Sequence, residues 1–492
     1  MKNTLYFGDC LDILKKLHHA YPFGFIDLIY IDPPFNSKRN YNILFESAEL
    51  KDTKAQKEAF ADTWSNISYK DTLEELKEID LDLFSFLESL DKIRIAKGAI
   101  SYLTTMAIRI YYMHKVLKDT GSFYLHCDPT MSHYLKIVCD LIFDIKHFRN
   151  EIIWHYRKWP SGNRQFQRNH DCILFYSKSE STKRIFNKVD LMDRTASTLK
   201  RFGTQKIVSA YDKDGNRLPS EMEEEESAGV PRDDVWDISR VPPIKQIFPT
   251  QKPEALLSRI IRASTKEGHL VADFFCGCGT TITVAQELKR KWIGVDISHL
   301  AVGLIERRLI KDYGKKIQDT YEIDGLPKDI DSAKKLAEGT SHGRIKFQDW
   351  IIETMIGGIH NPKKTADGGW DGHLTFETPY QPKEIILIEA KSGKVNVKKL
   401  REFIHVVNKQ KASIGVFVCF KEQVTKPMRL EAKEAGYYMK DLFDTKFDKI
   451  QILTVEQLLE GEEIKMPITK MTTTRSVEKK NEKQETYDLG FK

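Results

Sequence analysis

The chain has no run of eighteen or more apolar residues, which excludes an ordinary membrane-spanning helix. Its opening, MKNTLYFGDC, lacks the apolar core of a secretory leader. Cysteine is scarce: seven residues, an odd number at irregular spacing, which argues against a disulfide framework and for a reducing, cytoplasmic setting. Cys276 and Cys278 lie one residue apart with no second pair to complete a zinc site. Charge of one sign does not dominate. The net charge of +6 permits nucleic-acid binding without requiring it.

What is present is the composition of a globular protein, with 41% hydrophobic and 30% charged residues. A length of 492 residues calls for two or three domains. In residues 1–154 apolar runs alternate with amphipathic stretches. Phe25–Ile31 is a short strand of buried type. Leu103, Met106, Ala107, Ile110, Met113 and Leu117 keep helical spacing, and Ser122–His126 is a further strand. Residues 155–245 read as an inserted loop-rich lobe, rich in Arg, Lys, Asn, Gly and Pro and holding the acidic run Glu221–Glu226. Residues 246–312 return to the alternating pattern, with a helix carrying Leu256, Leu257, Ile260 and Ile261 on one side. Residues 313–343 read as a polar linker, 344–467 as a second α/β domain, and 468–492 as a disordered tail. The expected fold class is α/β with a parallel sheet.

Two motifs carry chemistry. Tyr30-Ile-Asp-Pro-Pro-Phe35 ends an apolar run in a carboxylate and two prolines. Prolines stiffen a loop and bring no N–H to compete for its acceptors. Asp32 and the Pro33 carbonyl are hydrogen-bond acceptors, Pro34 keeps the turn rigid, and Phe35 offers a flat aromatic face. The second motif, Asp273-Phe-Phe-Cys-Gly-Cys-Gly-Thr-Thr281, is a strand-end acid opening into a glycine turn. Gly277 and Gly279 permit close backbone approach, and the next helix offers free N–H groups. Asp296 follows 23 residues on, after another strand, where an acid can bind ribose hydroxyls.

Together and in this order the two motifs resemble the exocyclic-amino DNA methyltransferases, in the permuted β-class arrangement. Phe7-Gly-Asp9, Ala59–Trp64, Leu125–Thr130, Phe148–Trp154 and Pro249-Thr-Gln-Lys-Pro-Glu254 are similar to further segments of that family, over roughly residues 1–312. The resemblance implies a Rossmann-like S-adenosylmethionine-dependent fold and methyl transfer to adenine N6 or cytosine N4 in double-stranded DNA. Aspartate before the prolines favours adenine. It implies Asp32, Pro33, Pro34 and Phe35 as catalytic residues. Asp9, Lys252, Asp273, Phe275, Cys276, Gly277, Gly279, Thr280 and Asp296 would hold the cofactor. Phe274 and Cys278 stand where proline and serine are common in the family, and both keep the small or apolar character of the turn. The lobe at 155–245 would read the target: Trp154–Arg164 and Arg168–Asp171 interleave aromatic and basic residues. His126, His155 and His170 are read as structural or DNA-contacting, since this transfer needs no strong base. A homodimer is a further expectation from the family.

In the C-terminal domain, Asp367-Gly-Gly-Trp-Asp-Gly372 is followed by Glu389-Ala-Lys391 at the end of an apolar strand. An acid, a gap and then acid-x-lysine resembles the metal site of Mrr-type restriction endonucleases. Asp371 and Glu389 would hold Mg²⁺ and Lys391 would polarise the attacking water. Gln348, Asp349 and Glu353 are candidates for a further contact. The alternatives are an inert DNA-binding appendage, a fused restriction–modification enzyme, and a protein that binds without catalysis.

Overall fold

The computed structural model describes residues 2–34, 69–93, 97–158, 166–181, 183–208, 213, 221–242, 245–247, 250–338, 341–361, 368–378, 381–439 and 446–467. Phe35 and its loop to Tyr41, the segment Ala59–Trp64, residues 159–165 of the lobe, Asp367 and the tail 468–492 lie outside the described residues.

Two units divide the chain. The first takes Met1–Arg240 and Lys252–Gly325, and the second takes Val241–Gln251 and the chain from Leu326 onward. The strands of the first unit are β1 (Asn3–Phe7), β2 (Ile26–Ile31), β3 (Leu117–Cys127), β4 (Phe148–His155), β5 (His170–Ser177), β6 (Gln205–Val208), β7 (Glu221–Glu226), β8 (Val235–Asp237), β9 (Leu270–Asp273), β10 (Lys291–Asp296) and β11 (Tyr321–Asp324). Nine of them form one sheet in the order β11-β1-β10-β9-β2-β3-β5-β4-β8. From β11 to β3 the pairs are parallel. β5 runs antiparallel to both β3 and β4, and β8 is parallel to β4.

The parallel centre explains its own sequence. Every residue of β2 and β9 is buried, as befits strands covered on both faces, and their runs are correspondingly continuous rather than alternating. Helices supply the cover. Cys10–Ala20 starts at Asp9, whose carboxylate caps the Leu11 N–H at 2.7 Å, and buries Ile13, Leu14 and Leu17. Lys97–Val116 takes the periodic run expected for a helix, and Leu117, expected as its last turn, instead opens β3. Glu254–Ser264 buries Leu256, Leu257, Ile260 and Ile261 as the spacing predicts.

Three boundaries differ from the sequence reading. The stretch 155–245 is not one inserted lobe: His170–Ser177 is a core strand between β3 and β4, and Val235–Asp237 closes the sheet. The run Cys172–Tyr176 is buried throughout, and the basic residues before it masked that signal. The acidic run is a strand too, pairing β7 with β6 in a separate ribbon. The supposed linker 313–343 is structured. β11 pairs with β1 as the last strand of the sheet, and Ile330–Glu338 is helical. Residues 246–251 fall with the second unit rather than with the cofactor half.

The second unit has strands β12 (Ile359–His360), β13 (Gly372–Thr378), β14 (Gln381–Ala390), β15 (Ile414–Cys419), β16 (Tyr437–Tyr438), β17 (Phe447–Asp448) and β18 (Ile450–Thr454). Five form a sheet in the order β12-β13-β14-β15-β18, antiparallel up to β14 and parallel beyond it. The helix Val397–Lys409 buries Leu400, Phe403 and Val407 against a core that includes Leu387 and Phe417.

Candidate active site

Strand register brings the acids together. Phe7 pairs with Asp296, Gly294 with Asp273, and Ile29 with Ala272, all in parallel pairs. Asp9, Asp296, Asp273 and Asp32 therefore sit at or just past the carboxyl ends of four adjacent strands. This is the edge at which open α/β sheets bind ligands.

Two of these carboxylates build the glycine turn. Asp273 is buried and accepts from the Phe275 N–H at 3.0 Å and from the Thr281 hydroxyl at 2.6 Å. Asp296, also buried, accepts from the Gly277 N–H at 2.8 Å and the Ser298 N–H at 2.9 Å. Burial pushes the Asp273 carboxyl up to about 7 and that of Asp296 up to about 6, each against the hydrogen bonds that pull it down. Gly277 and Gly279 have φ of 49° and 75°, in the left-handed region. A Cβ on Gly279 would meet Ile305 Cγ1 at 2.5 Å, so only glycine lets the helix His299–Tyr313 pack against the turn. Gly279 precedes Thr280–Glu287, whose first N–H groups open onto the same edge. Cys276 and Cys278 are buried thiols pushed up by burial, suited to filling the turn rather than to binding metal. Thr280 is buried beside Cys278. The Phe7 and His299 rings stack with centroids 4.0 Å apart. Backbone N–H groups, strand-end acids and a turn open to close approach together fit an adenosyl cofactor.

Asp9 has a partner the sequence reading missed. Arg109, in the helix Lys97–Val116, donates to both Asp9 oxygens at 2.8 and 2.9 Å, to Cys10 Sγ at 3.2 Å and to the Thr105 carbonyl at 3.0 Å. The guanidinium is 5% exposed, so it is a buried, fully engaged clamp on the turn after β1. An arginine inside a helical run carries no local signal of such a role.

Lys252 meets the Asp-Pro-Pro motif. Its Nζ pairs with Asp32 Oδ2, the side chains being 12% and 17% exposed. Beyond Asp32 the same edge holds Tyr30, His126 and Asp171. His126 is fully buried, with Nδ1 3.0 Å from the Tyr30 hydroxyl and Nε2 3.3 Å from Asp171 Oδ2. The Tyr156 hydroxyl donates to Asp171 Oδ1 at 3.0 Å. Burial pushes the Asp171 carboxyl up, but His126, Lys252 and Tyr156 outweigh it and hold the group at about 2. Asp171, expected to contact DNA, turns inward instead. His126 lies inside the sheet, away from solvent, and His155 faces Asp237 at 3.3 Å near the surface.

In the second unit Lys391 Nζ lies 2.7 Å from Glu389 Oε1 and 3.6 Å from Asp371 Oδ2. The Ala390 N–H donates to Asp371 Oδ2 at 2.9 Å. Strand pairing of β13 with β14 thus assembles the acid, acid and lysine. Gln348 Nε2 donates to the Ala390 carbonyl at 3.3 Å, and Glu353 pairs with His360. Among the described residues no group of three or more His, Cys, Asp or Glu is placed to hold a metal.

A family model described as DNA methylase matches residues 26–307, more than half of the chain. The chain belongs to this DNA methylase family. This assignment agrees with the open α/β sheet with a parallel centre found in the first unit. A second model, NACHT-associated inactive Restriction Endonuclease 1, matches residues 344–460, so a restriction-endonuclease-associated domain follows the methylase. Among curated relatives, the DNA adenine methyltransferase YhdJ of Escherichia coli (strain K12) is 27% identical over 62% of this chain and 82% of its own length. The Type II methyltransferase M.HpaI of Haemophilus parainfluenzae is 28% identical over 41% of this chain and 57% of its own. The StyLTI Mod subunit, of a Type III restriction-modification enzyme of Salmonella typhimurium, is 25% identical over 77% of this chain and 61% of its own. The chain thus spans less than two thirds of the last two relatives. Solved structures similar to it include the M1.HpyAVI–SAM complex, with 17% identity, a TM-score of 0.33 and coverage of 62% of this chain and 99% of that one. The PvuII cytosine-N4-specific DNA methyltransferase has 16% identity, a TM-score of 0.36 and coverage of 66% and 95%. No helix among the described residues is long and apolar enough to cross a membrane.

Proposed function

We propose that this DNA methylase transfers a methyl group from S-adenosylmethionine to adenine N6 within a short motif in double-stranded DNA. The observation that carries the reading is the adjacency of Asp32 and Asp273 at the ends of neighbouring parallel strands, with the glycine turn beside them. Asp296 and the turn would hold the adenosyl moiety, Asp9 its base, and Lys252 its carboxylate. When bound, the cofactor supplies the electrophilic methyl group.

The amino nitrogen is a poor nucleophile because its lone pair is delocalised into the ring. Asp32 and the Pro33 carbonyl accept hydrogen bonds from the two amino hydrogens, which favours tetrahedral nitrogen as positive charge develops. Pro34 stiffens the loop, and Phe35 stacks on the base swung out of the helix. The nitrogen lone pair would take the methyl group that the cofactor supplies, the cofactor leaving as a neutral thioether, and the surplus amino proton would pass to water. No covalent enzyme intermediate is required.

Adenine is favoured over cytosine by the aspartate before the two prolines. The strands and ribbon between Phe148 and Asp237 would present the recognition segments to DNA. Cytoplasmic location and a homodimer complete the reading. Sequencing of DNA after incubation with labelled cofactor tests it: N6-methyladenine in one motif is expected.

A second activity, Mg²⁺-dependent cleavage by a Mrr-type site, is favoured by the assembled Asp371, Glu389 and Lys391 cluster. The two carboxylates are hard oxygen donors that fit Mg²⁺, and a bound ion would polarise water for attack on phosphate. Against it, the family model matched here is of an inactive form, so the primary reading of this domain is DNA binding. Loss of defined breaks in Glu389→Ala would establish the nuclease.

A further inference from the structure

The ligand edge of the first sheet does not stop at Asp32. Tyr30 precedes it by two residues, near the end of β2, and its ring is almost fully buried. The Tyr30 hydroxyl meets His126 on β3, His126 meets Asp171 on β5, and Asp171 meets Tyr156, one residue past β4. Four neighbouring chain segments are tied in series, β2 to β3 to β5 to the end of β4. The pattern of donors is consistent along its length. An imidazole whose Nε2–H donates to Asp171 leaves Nδ1 to accept the Tyr30 O–H, and the second Asp171 oxygen accepts from Tyr156. Trp154 closes the site from the side, its ring edge-on to His126 with centroids 5.5 Å apart.

The chain also has an outer end. The Tyr156 ring carries Lys158 Nζ at 4.7 Å and the Arg240 guanidinium at 5.3 Å from its centroid. Both cations stand where the recognition segments leave the sheet. The buried line thus joins the strand that ends in Asp32 to the root of those segments. The sheet has already fixed its backbone by ladder hydrogen bonds, so a four-member polar chain buried at one edge is not needed to form it. Burying such groups is costly unless every member is satisfied.

We propose that Asp171 and His126 are positioning residues for methyl transfer, holding the end of the catalytic strand, and with it Asp32, in place through the Tyr30 hydroxyl. The proposal rests on Asp32 being the carboxylate that accepts from the target amino group. A displacement of the acceptor by about 1 Å is enough to lower turnover about a hundredfold.

The test uses the full-length protein and four substitutions: Tyr30→Phe, Asp171→Asn, His126→Gln and His126→Leu. Glutamine can accept from Tyr30 and donate to Asp171, whereas leucine can do neither. Tyr30→Phe, Asp171→Asn and His126→Leu are each expected to lower kcat by about tenfold or more, with cofactor Kd unchanged, and His126→Gln to restore most of the loss. The Tyr30→Phe and Asp171→Asn effects are expected to be non-additive in the double variant, since both break one line. A merely structural line would lower the melting temperature and leave kcat of the folded fraction alone. If Asp171→Asn does not fold, Tyr30→Phe, which removes a single oxygen, decides the matter. Wild-type kcat in folded Tyr30→Phe, or equal kcat in the two His126 variants, overturns the proposal. Asp32→Ala is run beside them: if it retains activity, the catalytic reading itself has failed, whatever the other variants do.

Discussion

Lys252 and Asp32, 220 positions apart in sequence, form an ion pair at the carboxyl edge of the first sheet. The lysine sits just before the helix Glu254–Ser264, and the aspartate just after β2. The pair joins the motif assigned to the cofactor to the motif assigned to the base. Neither side chain is more than 17% exposed, so the two charges compensate each other in a partly buried site, where Lys252 also acts on Asp171.

Replacing Lys252 by methionine keeps the length of the side chain and removes its charge. Asp32 then loses its cation, and the cofactor loses its proposed carboxylate partner. Cofactor affinity is expected to fall by about ten- to a hundredfold, or about 1.4–2.8 kcal/mol, with kcat reduced as well. Calorimetric titration of the variant with S-adenosylmethionine checks this; an unchanged Kd would remove Lys252 from the cofactor site.

Asp32→Ala separates binding from chemistry. Methyl transfer is expected to fall by about a thousandfold or more, because a preorganised acceptor for developing charge is gone. Cofactor binding by the glycine turn should survive. Residual activity near wild type would show that Asp32 is not the acceptor.

The two raised carboxyls give a pH signature. A carboxyl held at about 6 or 7 in the folded protein, as for Asp296 and Asp273, takes up a proton on folding because its unfolded value is ~4. Their contribution to stability is therefore full below pH ~4 and is lost as the pH rises through 6 to 7. A sulfonium cation and ribose hydroxyls favour the ionised forms, so cofactor binding should release protons near pH 6.5 and tighten between pH 5.5 and 7.5. Titrations in buffers of different ionisation enthalpy read the released protons directly. Binding with no proton release would contradict the assignment.

Gly279→Ala forces a side chain into a left-handed position and against Ile305. A loss of about 1–3 kcal/mol in stability is expected, with weaker cofactor binding. Ile305→Ala in the same chain should recover the steric part of the loss. Thermal unfolding of the single and double variants measures it.

The four strand-end acids were legible in the sequence because each follows a short buried run, and Asp9, Asp32 and Asp273 also stand in turns that hold Pro or Gly. Lys252 was legible as part of a motif, but its pairing with Asp32 was not, because that contact depends on which strands are neighbours. Asp171 was misplaced for the same reason. It is the second residue of its strand and follows basic residues, so composition pointed outward while the sheet turned the side chain in. Arg109 lies within a helix whose apolar spacing hides it. β11 was hidden in a polar stretch, since an edge strand of four residues, with only Tyr321 fully buried, gives almost no periodic signal. In the second unit the Asp371, Glu389 and Lys391 cluster was legible because Lys391 follows Glu389 by two residues at the end of one strand, whereas the pairing of Glu353 with His360 was not.

The most direct test of the central claim is to incubate the purified protein with unmethylated DNA and labelled S-adenosylmethionine, then sequence the product for modified bases. N6-methyladenine in one short motif, absent with Asp32→Ala, is the predicted result. Methyl groups on a ring carbon of cytosine, or transfer that persists in Asp32→Ala, would contradict the account.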